Sequence, residues 1–298
     1  MSVGLVKMWD WCSLKTISRF VEKYLMLRFK FYFTLGLFIL FTKVAMAYTY
    51  GTYFGGGTPS SIKDEYARRL FESTANETIK LFAEKKDWVS QFNYGGDDSF
   101  AENIRKQYKQ KQPESLIGKL NKQTLKRRID TMKDLIRNKG IKSGEQILLI
   151  LDTHGNPSAN GQSHTIETVD GPIDLKDLQE LALLAKQHKV HLGIIDQSCF
   201  SQTTLNLANE YTCVISGSTE DTPSMAGATR DMIRALSNSE NLEEAFLKAR
   251  ANTNINATYA LPQISTPEGK EIFEYLKFTD HLHVPVGAEA YFKFDAMA

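Results

Sequence analysis

Two strand-like stretches stand out from the otherwise mixed pattern of this chain. The first, Ile147 to Leu151, stops abruptly at Asp152-Thr153-His154-Gly155-Asn156-Pro157 and reads as a buried strand delivering a histidine to a turn. The second, Val190 to Ile195, closes with Asp196-Gln197-Ser198-Cys199-Phe200-Ser201-Gln202 and delivers a cysteine. Between them, Asp174 is placed as an N-cap with Asp177 three positions on, and Leu178, Leu181, Leu184 and Ala185 recur at helical spacing. Strand, helix, strand at this length predicts a βαβ unit with parallel strands, whose two strand ends leave the same edge of the sheet. Open α/β sheets bind their ligands at that edge.

The same patterns predict the other elements. Ile62 to Lys85 is helical, with Ser61 and Asp64 able to cap it, and Trp88 to Tyr94 alternates weakly as the first strand, ending at Gly95-Gly96-Asp97-Asp98. Ser99 to Gln112 and Leu125 to Asn138 are helix candidates, the second with Leu125, Ile129, Met132, Leu135 and Ile136 on one face. Beyond the cysteine, a helix over Thr203 to Tyr211, a strand over Thr212 to Ser216, helices over Ser224 to Leu236 and Leu242 to Ala251, and a last strand over Thr258 to Ser265 follow. Tyr48 to Ser61, rich in Gly, Tyr and Ser, reads as a flexible terminus and lacks the Lys of a phosphate-cradling loop. Ser158 to Gly171 is polar and turn-rich and reads as a surface loop, with His164 solvated in it.

Composition adds a leader. With 298 residues, 42% hydrophobic and 24% charged, the chain fills a sizeable core in one α/β domain plus appendages. Net charge is +1, but residues 1–47 hold seven basic and two acidic groups, leaving 29 basic against 33 acidic, net −4. No basic stripe remains, so no nucleic acid partner is expected. Arg28 and Lys30 precede the apolar run Phe31 to Phe41, and Ala45-Met46-Ala47 forms a small-x-small site before Tyr48. A membrane span needs about 20 apolar residues, and Lys43 interrupts this run. The expectation is an export signal over 1–47 cleaved after Ala47, giving a secreted or periplasmic protein, with membrane attachment only if the signal is retained. Because the stretch before the apolar run is long, translation from Met26 is the alternative to Met1. An N-terminal linker and helix (48–87), a main domain (88–265) and a C-terminal tail (266–298) complete the division.

The chemistry concentrates on few residues. A thiol becomes a nucleophile near neutral pH with a base or cation beside it, and a histidine from the neighbouring strand end is such a group, which singles out His154 and Cys199. Cys213 lies in a strand-like run and is expected as a core thiol, with Cys199 left free. Asp97 and Asp98 lack the further ligands of a calcium loop, and His281 and His283 lack a completing thiol or carboxylate, so no metal and no cofactor are expected.

An apolar strand ending in Thr153-His154-Gly155, followed by one ending in Gln197-Ser198-Cys199-Phe200-Ser201, resembles the caspase-like superfamily of cysteine peptidases (caspases, metacaspases, legumains, clostripain, gingipains) over roughly Trp88 to Pro267. The resemblance implies a three-layer sandwich, a mostly parallel sheet with helices on both faces, and a Cys199–His154 dyad acting on a protein or peptide substrate. It implies backbone amides of Gly155 and Cys199 as oxyanion donors, and Gln197, Ser216, Gly217 and Asp97 around the pocket for the residue before the scissile bond. Gln197 stands where relatives that cut after Arg or Lys often carry Asp, while Asp97, Asp98, Glu220 and Asp221 in the wall segments argue the other way. Gln202 departs from the Gly common there. Three functions stay open: an exported endopeptidase, a transamidase or ligase on the same site, and an interaction protein with a vestigial site. Oligomeric state is not legible.

Overall fold

Strand β1 (Thr49–Gly55) lies in the middle of the sheet, buried along its whole length, between β4 (Gln146–Asp152) and β2 (Trp88–Tyr94) and parallel to both. The computed structural model describes residues 49–56, 63–85, 88–111, 116–157, 163–218, 224, 226–239, 242–252 and 263–265. Of the two units into which the chain divides, 1–46 and 47–298, all of these belong to the second. The expected leader and its cleavage site, the tail from Thr266, His281, His283, Glu220 and Asp221 lie outside the described residues.

In chain order the further elements are α1 (Glu65–Glu84), α2 (Asp98–Lys111), β3 (Leu116–Lys119), α3 (Lys122–Arg137), β5 (Gly155–Pro157), β6 (His164–Thr168), β7 (Gly171–Asp174), α4 (Asp177–His188), β8 (His191–Asp196), a 3-10 turn (Ser201–Leu207), β9 (Thr212–Ser216), α5 (Ala226–Ser237), α6 (Leu242–Asn252) and β10 (Gln263–Ser265). The main sheet has seven strands in the order β10-β9-β8-β4-β1-β2-β3, all parallel except the antiparallel edge strand β10. A small antiparallel sheet, β5-β6-β7, leaves the main one just after β4.

Burial on both faces explains why the strands read as continuous apolar runs. Leu148 and Ile150 of β4 join the core under α1, α2, α5 and α6, while Ile147, Leu149 and Leu151 join the core under α3 and α4. The molecule is thus α/β, with a mostly parallel sheet between helices. The chain winds outward through β1, β2 and β3 in one direction, then returns beside β1 and winds through β4, β8 and β9 in the other. The reversal falls between β1 and β4, and ligand crevices form outside the carboxyl ends of strands at such a switch.

Several sequence expectations need correction. Thr49–Gly55, read as part of a flexible terminus, is an interior strand of the sheet, so Trp88–Tyr94 is the second of the described strands in chain order. Its glycines make room for aromatic rings: a Cβ at Gly51 would lie 3.2 Å from the Trp88 ring and one at Gly55 2.0 Å from the Tyr53 hydroxyl. The expected helix after the cysteine is a 3-10 turn. Asp174 ends β7 and accepts the Lys176 amide, whereas α4 starts at Asp177 with no side-chain cap. The supposed loop Ser158 to Gly171 contains β6, and β3 was not anticipated.

Candidate functional site

The parallel ladders set the site. Leu151 pairs with Asp196 across β4 and β8, and Asp196 with Ser216 across β8 and β9, so the three strands end level with one another. The residues that follow continue the ladder for one step, Gln197 N–H donating to Leu151 O at 2.9 Å and Gly217 N–H to Asp196 O at 2.7 Å. His154 and Cys199 therefore leave the carboxyl edge from adjacent strands, beside the switch point.

The two turns meet at Gly155. A side chain there would set its Cβ 2.2 Å from the Cys199 carbonyl oxygen and 3.1 Å from the Cys199 nitrogen. Only glycine permits that backbone contact, because real Cβ atoms do not come so near. Cys199 is half-buried with a free thiol, and Phe200 just after it takes a left-handed conformation, φ 62° and ψ 24°. A bulky residue there costs on the order of 1–3 kcal/mol and is held only by what surrounds it.

His154 is half-buried, its ring edge-on to Phe71 of α1 at 5.2 Å between centroids and 79° between planes. Burial pushes its imidazole below the ordinary value, and the charge of Glu167 opposes this. The ring is thus biased toward its neutral, basic form near neutral pH.

Beneath the Cys199 turn lies a polar network that the sequence pattern did not reveal. Asp196, fully buried, accepts from the Ser198 amide at 3.1 Å and the Ser198 hydroxyl at 2.6 Å through Oδ1, and from the Thr204 hydroxyl at 2.7 Å through Oδ2. Nε2 of His164 lies 3.0 Å from Asp196 Oδ2 and 3.0 Å from Ser198 Oγ, and its Nδ1 lies 3.0 Å from Thr203 Oγ1. Burial alone would raise the Asp196 carboxyl. The His164 charge, with hydrogen bonds from His164, Ser198 and Thr204, outweighs it and holds the group below the ordinary carboxylate value. His164 is only 1% exposed, so the expectation of a solvated loop histidine is wrong. A second cluster closes the far side: Ser218 donates to Ser198 O at 3.1 Å, and Ser201 shares hydrogen bonds with Ser216 at 2.8 Å and Ser218 at 3.2 Å.

The remaining site residues divide. Gln197 is buried next to Gly217, where a Cβ would meet Gln197 Oε1 and Ser224 Oγ, each at 2.9 Å. Both Gln197 amide atoms and Ser224 Oγ lack hydrogen-bond partners among the described residues. Ser216 is fully buried, its hydroxyl given to Ser218 O at 2.6 Å. Asp97 caps α2, accepting from the Ser99 and Phe100 amides at 2.7 and 3.0 Å and from the Ser99 hydroxyl, which hold its carboxyl below the ordinary value. Cys213 is buried in β9, as expected. Among the described residues no cluster of His, Cys, Asp and Glu could hold a metal, and no helix is long and apolar enough to cross a membrane.

No protein-family model matches the chain, and neither does any curated protein sequence. The functional reading therefore rests on residues and geometry.

Proposed function

We propose that this protein is an exported cysteine endopeptidase with a Cys199–His154 dyad, on a caspase-like scaffold. The observation that carries the reading is the seating of Gly155 against the Cys199 backbone at the ends of adjacent parallel strands, because it brings the base-bearing turn onto the thiol-bearing turn. In the first step the Cys199 thiol gives its proton to His154, sulfur bonds to the substrate carbonyl carbon, and the carbonyl oxygen becomes an oxyanion facing the amides of Gly155 and Cys199. The C–N bond then breaks, His154 hands the proton to the leaving amine, and a thioester remains. In the second step His154 takes a proton from water, the hydroxide adds to the thioester, and the acyl group leaves as a carboxylic acid while Cys199 recovers its proton. No metal or organic group is needed for this chemistry.

Gln197 and Gly217 border the position of the side chain before the scissile bond. A buried amide with donor and acceptor both unmet is satisfied from both sides by another amide, whereas a carboxylate leaves the acceptor bare and an ammonium leaves the donors bare. Asn or Gln is accordingly the preferred residue before the cut.

A thiol-reactive peptidyl probe on wild type and Cys199→Ala tests the proposal. Labelling at Cys199 that is lost in the variant, with peptide cleavage lost in parallel, is the expected result. A wild type that neither labels nor cleaves returns the chain to a vestigial site, and ligated product on adding an amine nucleophile points to transamidation.

A further inference from the structure

Strand β6 touches both halves of the proposed site. At its far end Glu167 N–H donates to His154 O at 2.8 Å, Thr153 Oγ1 donates to Glu167 O at 2.8 Å, and Ile166 pairs with Gly155. Three residues earlier, about 10 Å along an extended strand, His164 reaches Asp196, Ser198 and Thr203 around the cysteine. The strand's alternation makes this possible, with His164, Ile166 and Thr168 turned inward and Thr165 and Glu167 half-exposed. We infer that His164 is a positioning residue: through β6 it fixes the nucleophile turn relative to the histidine turn, and so sets the approach of Cys199 to His154.

Two features favour this over a purely structural role. The groups His164 touches are not spread through the core: Asp196, Ser198 and Thr203 all lie within four residues of Cys199. The turn they support also contains the strained Phe200. Such a conformation persists only where the surroundings over-determine it. The Ser198 hydroxyl proton is committed to Asp196, so Ser198 Oγ is left to accept, and Nε2–H of His164 bridges carboxylate and hydroxyl. Without the imidazole, the buried carboxylate loses a hydrogen-bond donor and Ser198 one of its ties.

The inference rests on the peptidase reading for its kinetic consequence, but not for its chemical one. Full-length wild type and His164→Ala are compared in peptide hydrolysis, and in alkylation of Cys199 by iodoacetamide followed by peptide mapping across pH. A turn shifted by about 1 Å costs on the order of 10²-fold in rate. The expected result is a kcat lower by about that factor with KM within about threefold, and a pH profile of Cys199 alkylation that departs from wild type. Added imidazole should occupy the cavity and restore both readouts. A folded His164→Ala protein with wild-type kcat and alkylation profile overturns the inference. If that variant fails to fold, Thr203→Val and Ser198→Ala each remove one tie, and wild-type profiles in both overturn it equally. If wild type cleaves no peptide, the alkylation profile still decides the positioning role, and the failure belongs to the peptidase reading alone.

Discussion

Replacing Asp152 by Asn should stabilise the protein at neutral pH, an unusual direction for a fully buried polar residue. The carboxyl ends β4, two positions before His154, and accepts the Tyr53 hydroxyl at 2.9 Å and a bond from Thr229. Burial dominates: it lifts the group from 3.8 to about 6, against the two hydrogen bonds that pull it down. Tyr53 stays a neutral donor and brings no positive charge to the carboxylate, since burial, with Asp152 and Tyr94 nearby, pushes its hydroxyl well above the ordinary value.

The sign follows from linkage. The folded state holds the Asp152 proton more tightly than the unfolded state, so stability falls as pH rises from about 4 to about 6 and is level above that. At pH 7 the ionised carboxylate costs about 3 kcal/mol relative to its protonated form, at about 1.4 kcal/mol per pH unit. Asn is neutral throughout, accepts from Tyr53 through its oxygen, and offers its NH2 to the Thr229 hydroxyl. The assay is urea unfolding of Asp152→Asn and wild type by circular dichroism between pH 4 and 7.5. The variant should match wild type near pH 4 and exceed it by up to about 3 kcal/mol at pH 7, or about 6–12 °C in Tm. A stability difference independent of pH, or a variant weaker at pH 7, would refute the reasoning, since either means the buried carboxylate is not the source of the cost.

Gly155→Ala should reduce peptide cleavage by at least about 10²-fold and cost about 1–3 kcal/mol in urea melts, because its Cβ would collide with the Cys199 carbonyl; near-wild-type activity would mean the two turns are not in contact. Gln197→Glu should turn the preference before the scissile bond toward Lys and Arg by about tenfold or more in a fluorogenic peptide series, a buried carboxylate demanding a cation, and an unchanged profile would remove Gln197 from the pocket. A chain starting at Tyr48 should fold, whereas one starting at Gly56 should show no cooperative melt, since it lacks the strand that pairs with β2 on one side and β4 on the other.

What could be read in advance, and what could not, follows from how each residue signals its surroundings. The β4-α4-β8 unit was legible because strands buried on both faces are written as aliphatic-rich runs, unbroken in Ile147–Leu151 and interrupted in Val190–Ile195 by His191 and Gly193. β1 is equally buried but is written TYGTYFG. Its burial is carried by Tyr50, Tyr53 and Phe54, and by glycines whose missing side chains let rings cross the strand, so its composition mimics a loop. The overlooked signal was an aromatic followed two positions later by glycine, Tyr53–Gly55 and again Tyr94–Gly96, where the ring folds back over the bare backbone. Asp97 accepts the Ser99 amide at the start of α2, and Ser99 two positions on was the hint that a helix begins there.

His164 was the most consequential omission, and its reason is physical. A strand packed on polar partners has no apolar period to announce it, and in β6 only Ile166 is aliphatic. Asp196 was equally opaque, since alternation correctly implied that it points away from Gln197 but could not say what it meets there. A buried acid next to a candidate nucleophile needs several donors and a counter-charge, and those came from three separate places in the chain: the Ser198 backbone and hydroxyl, Thr204 on the following turn, and His164 from a strand more than thirty residues upstream. The requirement could be stated from Asp196 alone, but its solution depended on tertiary pairing. The positions of His154 and Cys199 at adjacent strand ends could therefore be read from two short motifs, while the network beneath the cysteine became visible only once β6 was laid across both turns.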